Sequence, residues 1–167
     1  MITPGATSGE PLHMLSGLER PSARWKTNPE GARDNLRAAV SLVLRLLGRD
    51  PDPARSREHV LLMVLAEARL SEGEPADLAT LLEALVNPPM DKVGALTVDA
   101  FMPKSERKTL AAAVNALLAS PSFALWREGV TLDVADWLKP IDGDGIVVTV
   151  PYEHRYSCTW RCRRKCP

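Results

Sequence analysis

The sequence predicts a mainly α fold: a multi-helix bundle with one short C-terminal strand and an irregular, basic tail. Three observations carry this. Apolar residues recur with a period near 3.6 over most of the chain. Asn-Pro, Asp-Pro and Gly stand where those periodic stretches begin and end. One β-branched run, residues 146–150, follows the last of them. With 167 residues, 45% of them apolar, the chain can bury a real core in one domain.

Residues 1–28 are expected as an irregular leading segment. Pro4, Gly5, Gly9, Pro11, Gly17 and Pro21 interrupt any long period, leaving room for a turn around residues 12–18. The all-α domain is expected over residues 29–140. Its first helix opens at Asn28-Pro29, a cap followed by a proline whose missing N–H is not needed there. Leu36, Val40, Val43, Leu44 and Leu47 form one stripe, and Gly48 is the stop. The second helix is expected from near Asp52-Pro53 to about Ser71, before Gly73. Its centre, residues 60–66, is apolar nearly all round, which places it centrally in the bundle.

A third helix, from about Pro75 to Val86, carries Leu78, Leu81, Leu82 and Leu85. Residues 87–103 read as a connection with a short turn at 98–101. A fourth helix follows Pro103, with Leu110, Val114, Leu117 and Leu118 on its stripe. Ser122 caps a short helix carrying Phe123, Leu125 and Trp126, and a last one spans residues 132–138. Asp142-Gly-Asp-Gly then turns the chain into the 146–150 strand. A lone strand leaves its ladder groups unpaired, so this one points to an incomplete fold.

Several function classes are set aside by composition. Lys plus Arg and Asp plus Glu are 21 each, so no global charge calls for nucleic acid or an anionic membrane. The longest apolar run is seven residues, whereas a bilayer needs ~20. No basic-then-apolar leader opens the sequence, so a cytoplasmic location and no membrane partner are expected. All three cysteines lie in the tail, so disulfides do not hold the body.

The tail, residues 151–167, is the one chemically unusual stretch. His154, Cys158, Cys162 and Cys166 are each four apart, and neighbouring pairs on a helix could share a metal. The spacing drifts by ~40° per step on a straight helix, so the four cannot close one tetrahedron. No metal site is therefore expected, with these four as the alternative set. Tyr152, Tyr156 and Trp160 alternate with Arg155, Arg161, Arg163, Arg164 and Lys165, a composition that can stack on and neutralise single-stranded nucleic acid. A solvated basic tail is the plainer reading.

Elsewhere the motifs are bland. Asp142 and Asp144 lack the further oxygen ligands of a calcium loop. Gly5-Ala-Thr-Ser-Gly9 is followed by Glu10-Pro11, and the chain has no GxxxxGK[ST] to hold phosphate and Mg²⁺. His13, His59 and His154 are dispersed and signal no catalytic set. Arg55, Arg57 and Glu58, opening the second helix, are the candidate interaction residues, facing a neighbouring subunit or a nucleotide. An exposed first turn with local ion pairs is the ordinary alternative.

Three stretches carry a family resemblance: Arg55-Ser-Arg-Glu-His-Val-Leu-Leu62, Asn87-Pro-Pro-Met-Asp-Lys-Val-Gly94 and Leu117-Leu-Ala-Ser-Pro-Ser-Phe-Ala-Leu-Trp126. Over residues 2–145 the chain resembles the helical insertion of bacterial HerA-type, FtsK-related ATPases. Ile2-Thr-Pro-Gly-Ala-Thr-Ser-Gly-Glu-Pro-Leu12 is similar to the loop leading into that insertion, and residues 132–143 to the segment leaving it. The resemblance implies a P-loop before this region and an acidic metal-binding strand after it, in a ring-forming ATPase that uses ATP and Mg and acts on DNA. It places no catalytic or cofactor-binding residue on this chain. The expected partners are the remainder of the ATPase or other subunits of a homo-oligomeric ring, and the isolated chain is expected not to be an enzyme.

After Val150 the resemblance stops. Joining the third base of each codon to the next two turns Cys158-Thr159 into His or Tyr, Thr159-Trp160 into Val, Leu or Met, and Trp160-Arg161 into Ala or Glu. That order is similar to the family's own continuation, so a change of reading frame or a gene-end artefact near residues 145–153 is expected. The remaining expectations are a free-standing helical interaction module, or nucleic-acid binding through the tail.

Overall fold

The computed structural model describes residues 12–19, 21–124, 127 and 130–131. Within them the fold is mainly helical, as the sequence predicts. Four principal helices, α3 (Pro29–Leu46), α4 (Arg57–Glu72), α5 (Leu78–Val86) and α7 (Lys104–Leu118), pack in series. Short pieces surround them: β1 (Leu12–His13), α1 (Ser16–Glu19), α2 (Arg24–Thr27), β2 (Lys92–Val93), β3 (Leu96–Thr97), α6 (Val98–Phe101), α8 (Pro121–Ala124) and β4 (Val130–Thr131).

Each principal helix starts for a local reason. Asn28 Oδ1 accepts from the Gly31 N–H at 3.0 Å, and Pro29 follows at the first helical position. α3 ends where Gly48 takes φ +66° and the Arg49 N–H turns back to the Leu44 carbonyl at 2.8 Å. α4 begins four residues later than its Asp52-Pro53 signal suggests. Asp52 instead closes a turn, accepting on Oδ1 from the Ala54 N–H at 2.9 Å and on its carbonyl oxygen from Ser56 N–H. Ser56 is the true cap, its Oγ accepting from His59 N–H at 3.1 Å. At the far end Gly73 takes φ +89°, and Glu74 N–H reaches Arg69 O at 3.0 Å.

α5 also starts late, at Leu78 rather than near Pro75, because Asp77 caps the Thr80 N–H at 2.8 Å. α7 follows Pro103, which gives no side-chain cap. The apolar stripes meet in one core: Leu36, Val40, Val43 and Leu44 of α3, Leu61, Leu62, Leu65 and Leu70 of α4, Leu78, Leu81 and Leu85 of α5, and Leu110 and Val114 of α7. Leu47, Leu82, Leu117 and Leu118 lie half-buried against it. Burying a leucine contributes about 1.5–3 kcal/mol, so this cluster supplies the main driving force for the body.

Two features depart from the sequence reading. The leading segment, expected to be irregular through residue 28, contributes fully buried Leu15 and Leu18 to the same core. The Ala76 N–H donates to the Leu18 carbonyl at 3.0 Å, tying this segment to the α4–α5 connection. In the 87–103 connection, the expected turn at 98–101 is α6, but a hairpin precedes it. β2 pairs antiparallel with β3 across Gly94, which takes φ +60°.

The third surprise is a parallel pair. β1 lies beside β4, with Leu12 opposite Val130 and His13 opposite Thr131. The incoming and outgoing chain therefore run side by side, and α1–α8 form the crossover between them. The expected helix at 132–138, the strand at 146–150 and the tail lie outside the described residues. No helix among the described residues is long and apolar enough to cross a membrane.

Candidate functional site

Three polar clusters sit on this frame. The first surrounds the amino end of α4, where the sequence places Arg55, Arg57 and Glu58. Glu58 accepts from Arg49 Nη1 at 2.6 Å, fastening the α3–α4 loop to the helix. Arg57 Nη2 donates to Glu106 Oε2 at 3.0 Å and Nη1 to the Phe101 carbonyl at 3.3 Å, joining α4 to the α6–α7 corner. Arg55 is 82% exposed, with Asp52 Oδ2 3.7 Å from its Nε. Arg57 and Glu58 thus have partners within the body, and Arg55 projects into solvent.

Beneath them lies His59, fully buried on α4. Its Nε2 is 3.1 Å from Ser41 Oγ of α3, and Ser41 Oγ donates to the Pro51 carbonyl at 3.2 Å. Serine has one hydroxyl proton, so with that proton on Pro51 the imidazole is the donor and carries its hydrogen on Nε2. Burial pushes the imidazole below its ordinary pKa; the Arg37 carbonyl oxygen opposes this and does not reverse it. A Ser–His contact this deep has no route for a substrate. Its chemistry is that of a neutral, satisfied structural histidine.

The second cluster joins the two ends of the body. His13 of β1 is buried, and its Nε2 lies 3.0 Å from Glu19 Oε2, although the pair is not aligned as a hydrogen bond. Glu19 Oε1 accepts from Arg127 Nε at 2.6 Å. One carboxylate at the end of α1 thereby spans from the incoming strand to Arg127, beyond the end of α8. Sequence spacing gives no hint of this set, since Glu19 and Arg127 are 108 positions apart.

The third is Arg107 of α7, with a side chain only 4% exposed. Nη2 donates to Asp99 Oδ1, while Nε and Nη1 are buried with no partner among the described residues. A buried guanidinium with two idle donors is costly, and it marks the α6–α7 corner as a polar fault in the core. An open groove between α4 and α5, lined by Leu65, Leu82, Ala84 and Val86, has Arg69 and Glu83 at its polar positions. Arg69 is already turned to the Pro75 carbonyl at 2.8 Å.

Among the described residues no three His, Cys, Asp or Glu side chains gather as metal ligands. His154, Cys158, Cys162 and Cys166 lie outside the described residues, as do the aromatic and basic tail residues. No protein-family model, curated protein or solved structure matches the chain.

Proposed function

We propose that the helical body is the inserted, non-catalytic subdomain of a larger HerA-type, FtsK-related ATPase. The ATP, Mg and DNA sites of that enzyme lie in parts other than this body, and the body's partners are the rest of the ATPase or neighbouring ring subunits. The observation that carries this reading is the parallel pairing of β1 with β4. An inserted module must leave and rejoin its host at nearly one place. A parallel pair of two-residue strands is too small to stand alone and fits as part of a larger sheet, with the helices as its crossover. The Glu19 carboxylate, held between His13 and Arg127, fixes that junction from inside the body. The ordered resemblance over residues 2–145 supplies the kind of host.

The reading is tested on the protein and on its gene. The purified chain with Mg-ATP should release phosphate no faster than buffer, and turnover at an ordinary enzymatic rate, about 1 s⁻¹ or more, overturns it. The flanking DNA should encode a P-loop upstream and an acidic strand downstream; finding neither in any frame also overturns it. A second reading, a free-standing helical interaction module, is favoured by the outward face of α4, where Val60, Met63 and Val64 stay half-buried. An intact gene with no ATPase coding sequence around it selects that reading instead.

A further inference from the structure

Arg107 is buried at the α6–α7 corner, yet of its guanidinium nitrogens Nη2 alone has an acceptor, Asp99 Oδ1. Nε and Nη1 are buried and meet no acceptor among the described residues. A desolvated guanidinium is best satisfied along an edge, where two parallel N–H groups match two oxygens of a carboxylate or a phosphate. Nη2 belongs to both such edges, with Nε beside it on one and Nη1 on the other. Asp99 therefore leaves each edge half used. Its own side chain is 75% exposed, so water competes for the carboxylate that Arg107 holds.

The guanidinium points toward the start of α7. In a helix the Cα–Cβ bonds tilt toward the amino end, and Nη2 reaches back to a residue of α6, before α7 begins. That start is open. Pro103 gives no side-chain cap, and no described side chain accepts from the N–H groups of Lys104, Ser105 or Glu106. Lys104 and Lys108, one turn apart on α7, are exposed and have no ion partner among the described residues. Glu106, the acid of this turn, is drawn away to Arg57 at 3.0 Å. Free N–H groups at a helix start, lysines beside them and an arginine edge beneath are the donors that a phosphate group takes.

We propose that the α6–α7 corner binds one phosphate group at the start of α7, and that Asp99 is the internal carboxylate this group displaces from Arg107. Asp99 turns outward, where most of its side chain already meets solvent. The incoming group takes its place on Nη2. Being tetrahedral, it sets a second oxygen on Nε or Nη1 and a third toward the first-turn N–H groups of α7. Lys104 and Lys108 balance its charge from the solvent side. Arg107 thus destabilises the free body and stabilises the liganded one. The site needs neither a P-loop nor a metal, and it stands whether or not the body belongs to an ATPase.

The test is a nuclear magnetic resonance titration of the isotope-labelled full chain with sodium phosphate, against sodium chloride at equal ionic strength. Phosphate should shift the Lys104, Ser105 and Glu106 amides and the Arg107 Nε–H saturably, with a Kd on the order of 1 mM, and chloride should not. Arg107→Met should weaken that response about tenfold or more. Because that variant also alters the core, exposed Asp99 gives an independent check. Asp99→Ala should bind phosphate about fivefold more tightly, and its urea midpoint should climb more steeply with added phosphate than that of the unaltered chain. Adenosine monophosphate binding as tightly as phosphate makes a phosphomonoester the ligand, and weaker binding makes it the free ion. Shifts that never saturate, that chloride reproduces, or that Arg107→Met and Asp99→Ala leave unchanged overturn the proposal.

Discussion

Ser41→Ala tests how the α3–α4 interface tolerates its buried histidine. The substitution removes the acceptor for His59 Nε2–H, 3.1 Å away in a fully buried site, and the donor to the Pro51 carbonyl. An orphaned buried donor costs about 1–3 kcal/mol and a lost hydrogen bond about 1 kcal/mol, so a loss of about 2–3 kcal/mol is expected. Urea unfolding at pH 7.5 should show a lower midpoint at unchanged slope. In a His59→Leu background the same substitution loses only the Pro51 bond, about 1 kcal/mol, so the two positions should be coupled by about 1 kcal/mol or more. The pH dependence gives a second readout. Burial holds the folded imidazole below its ordinary value of 6.5, so the unfolded chain takes up the proton first. Stability from this site is therefore complete above about pH 6.5 and falls as the pH drops toward the folded value, by up to about 1.4 kcal/mol per pH unit. His59→Leu should lack that fall. A coupling under about 0.5 kcal/mol, or identical pH profiles for the two proteins, refutes the assignment.

Gly73→Ala should lower stability by about 1–2 kcal/mol in the same urea assay through backbone strain alone, since φ is +89° and no atom lies within 4 Å of the added methyl. Asp77→Ala should cost about 1 kcal/mol by uncapping α5. Burial alone would raise the Asp77 carboxyl, but the bonds from Thr80 outweigh it and hold the carboxyl below its usual 3.8. That stability is present above about pH 3.8 and lost on acidification below it, and a wild-type-like acid profile for Asp77→Ala would falsify the capping role. Arg107→Met should be neutral or stabilising by up to about 1 kcal/mol, because methionine leaves no idle buried donor where Nε and Nη1 meet no acceptor among the described residues. A loss above about 2 kcal/mol by thermal or urea unfolding would show that those donors are satisfied in solution.

Helices were legible where one residue type could do one job. Asn28, Pro29 and Gly48 bound α3 because no competing signal lies nearby. Asp52-Pro53 and Pro75 misplaced two starts because Ser56 and Asp77, a few residues later, offer an equally good cap with the right extended backbone. Leu15 and Leu18 escaped notice because four-residue α1 is too short to show a period; only tertiary contact with α3 reveals them as core. The two-residue strands fail for the same reason. Of the clusters, Arg55, Arg57 and Glu58 were visible as a charged first turn, but their partners Glu106 and Arg49 were not. The Glu19 junction and the idle donors of Arg107 arise from elements meeting in space, and no spacing rule encodes them.

The parallel run of β1 beside β4 also decides how the body responds to tension. Suppose a host sheet pulls backward on the chain before Leu12 and forward on the chain after Thr131. The two strands are then dragged past each other along their length. Their cross-strand bonds share the load together rather than opening one after another like a zip. The ion pair between Glu19 and Arg127 bridges the same gap. Force therefore passes from one flank to the other through this strand pair, and the helices hang beside the load path instead of lying on it.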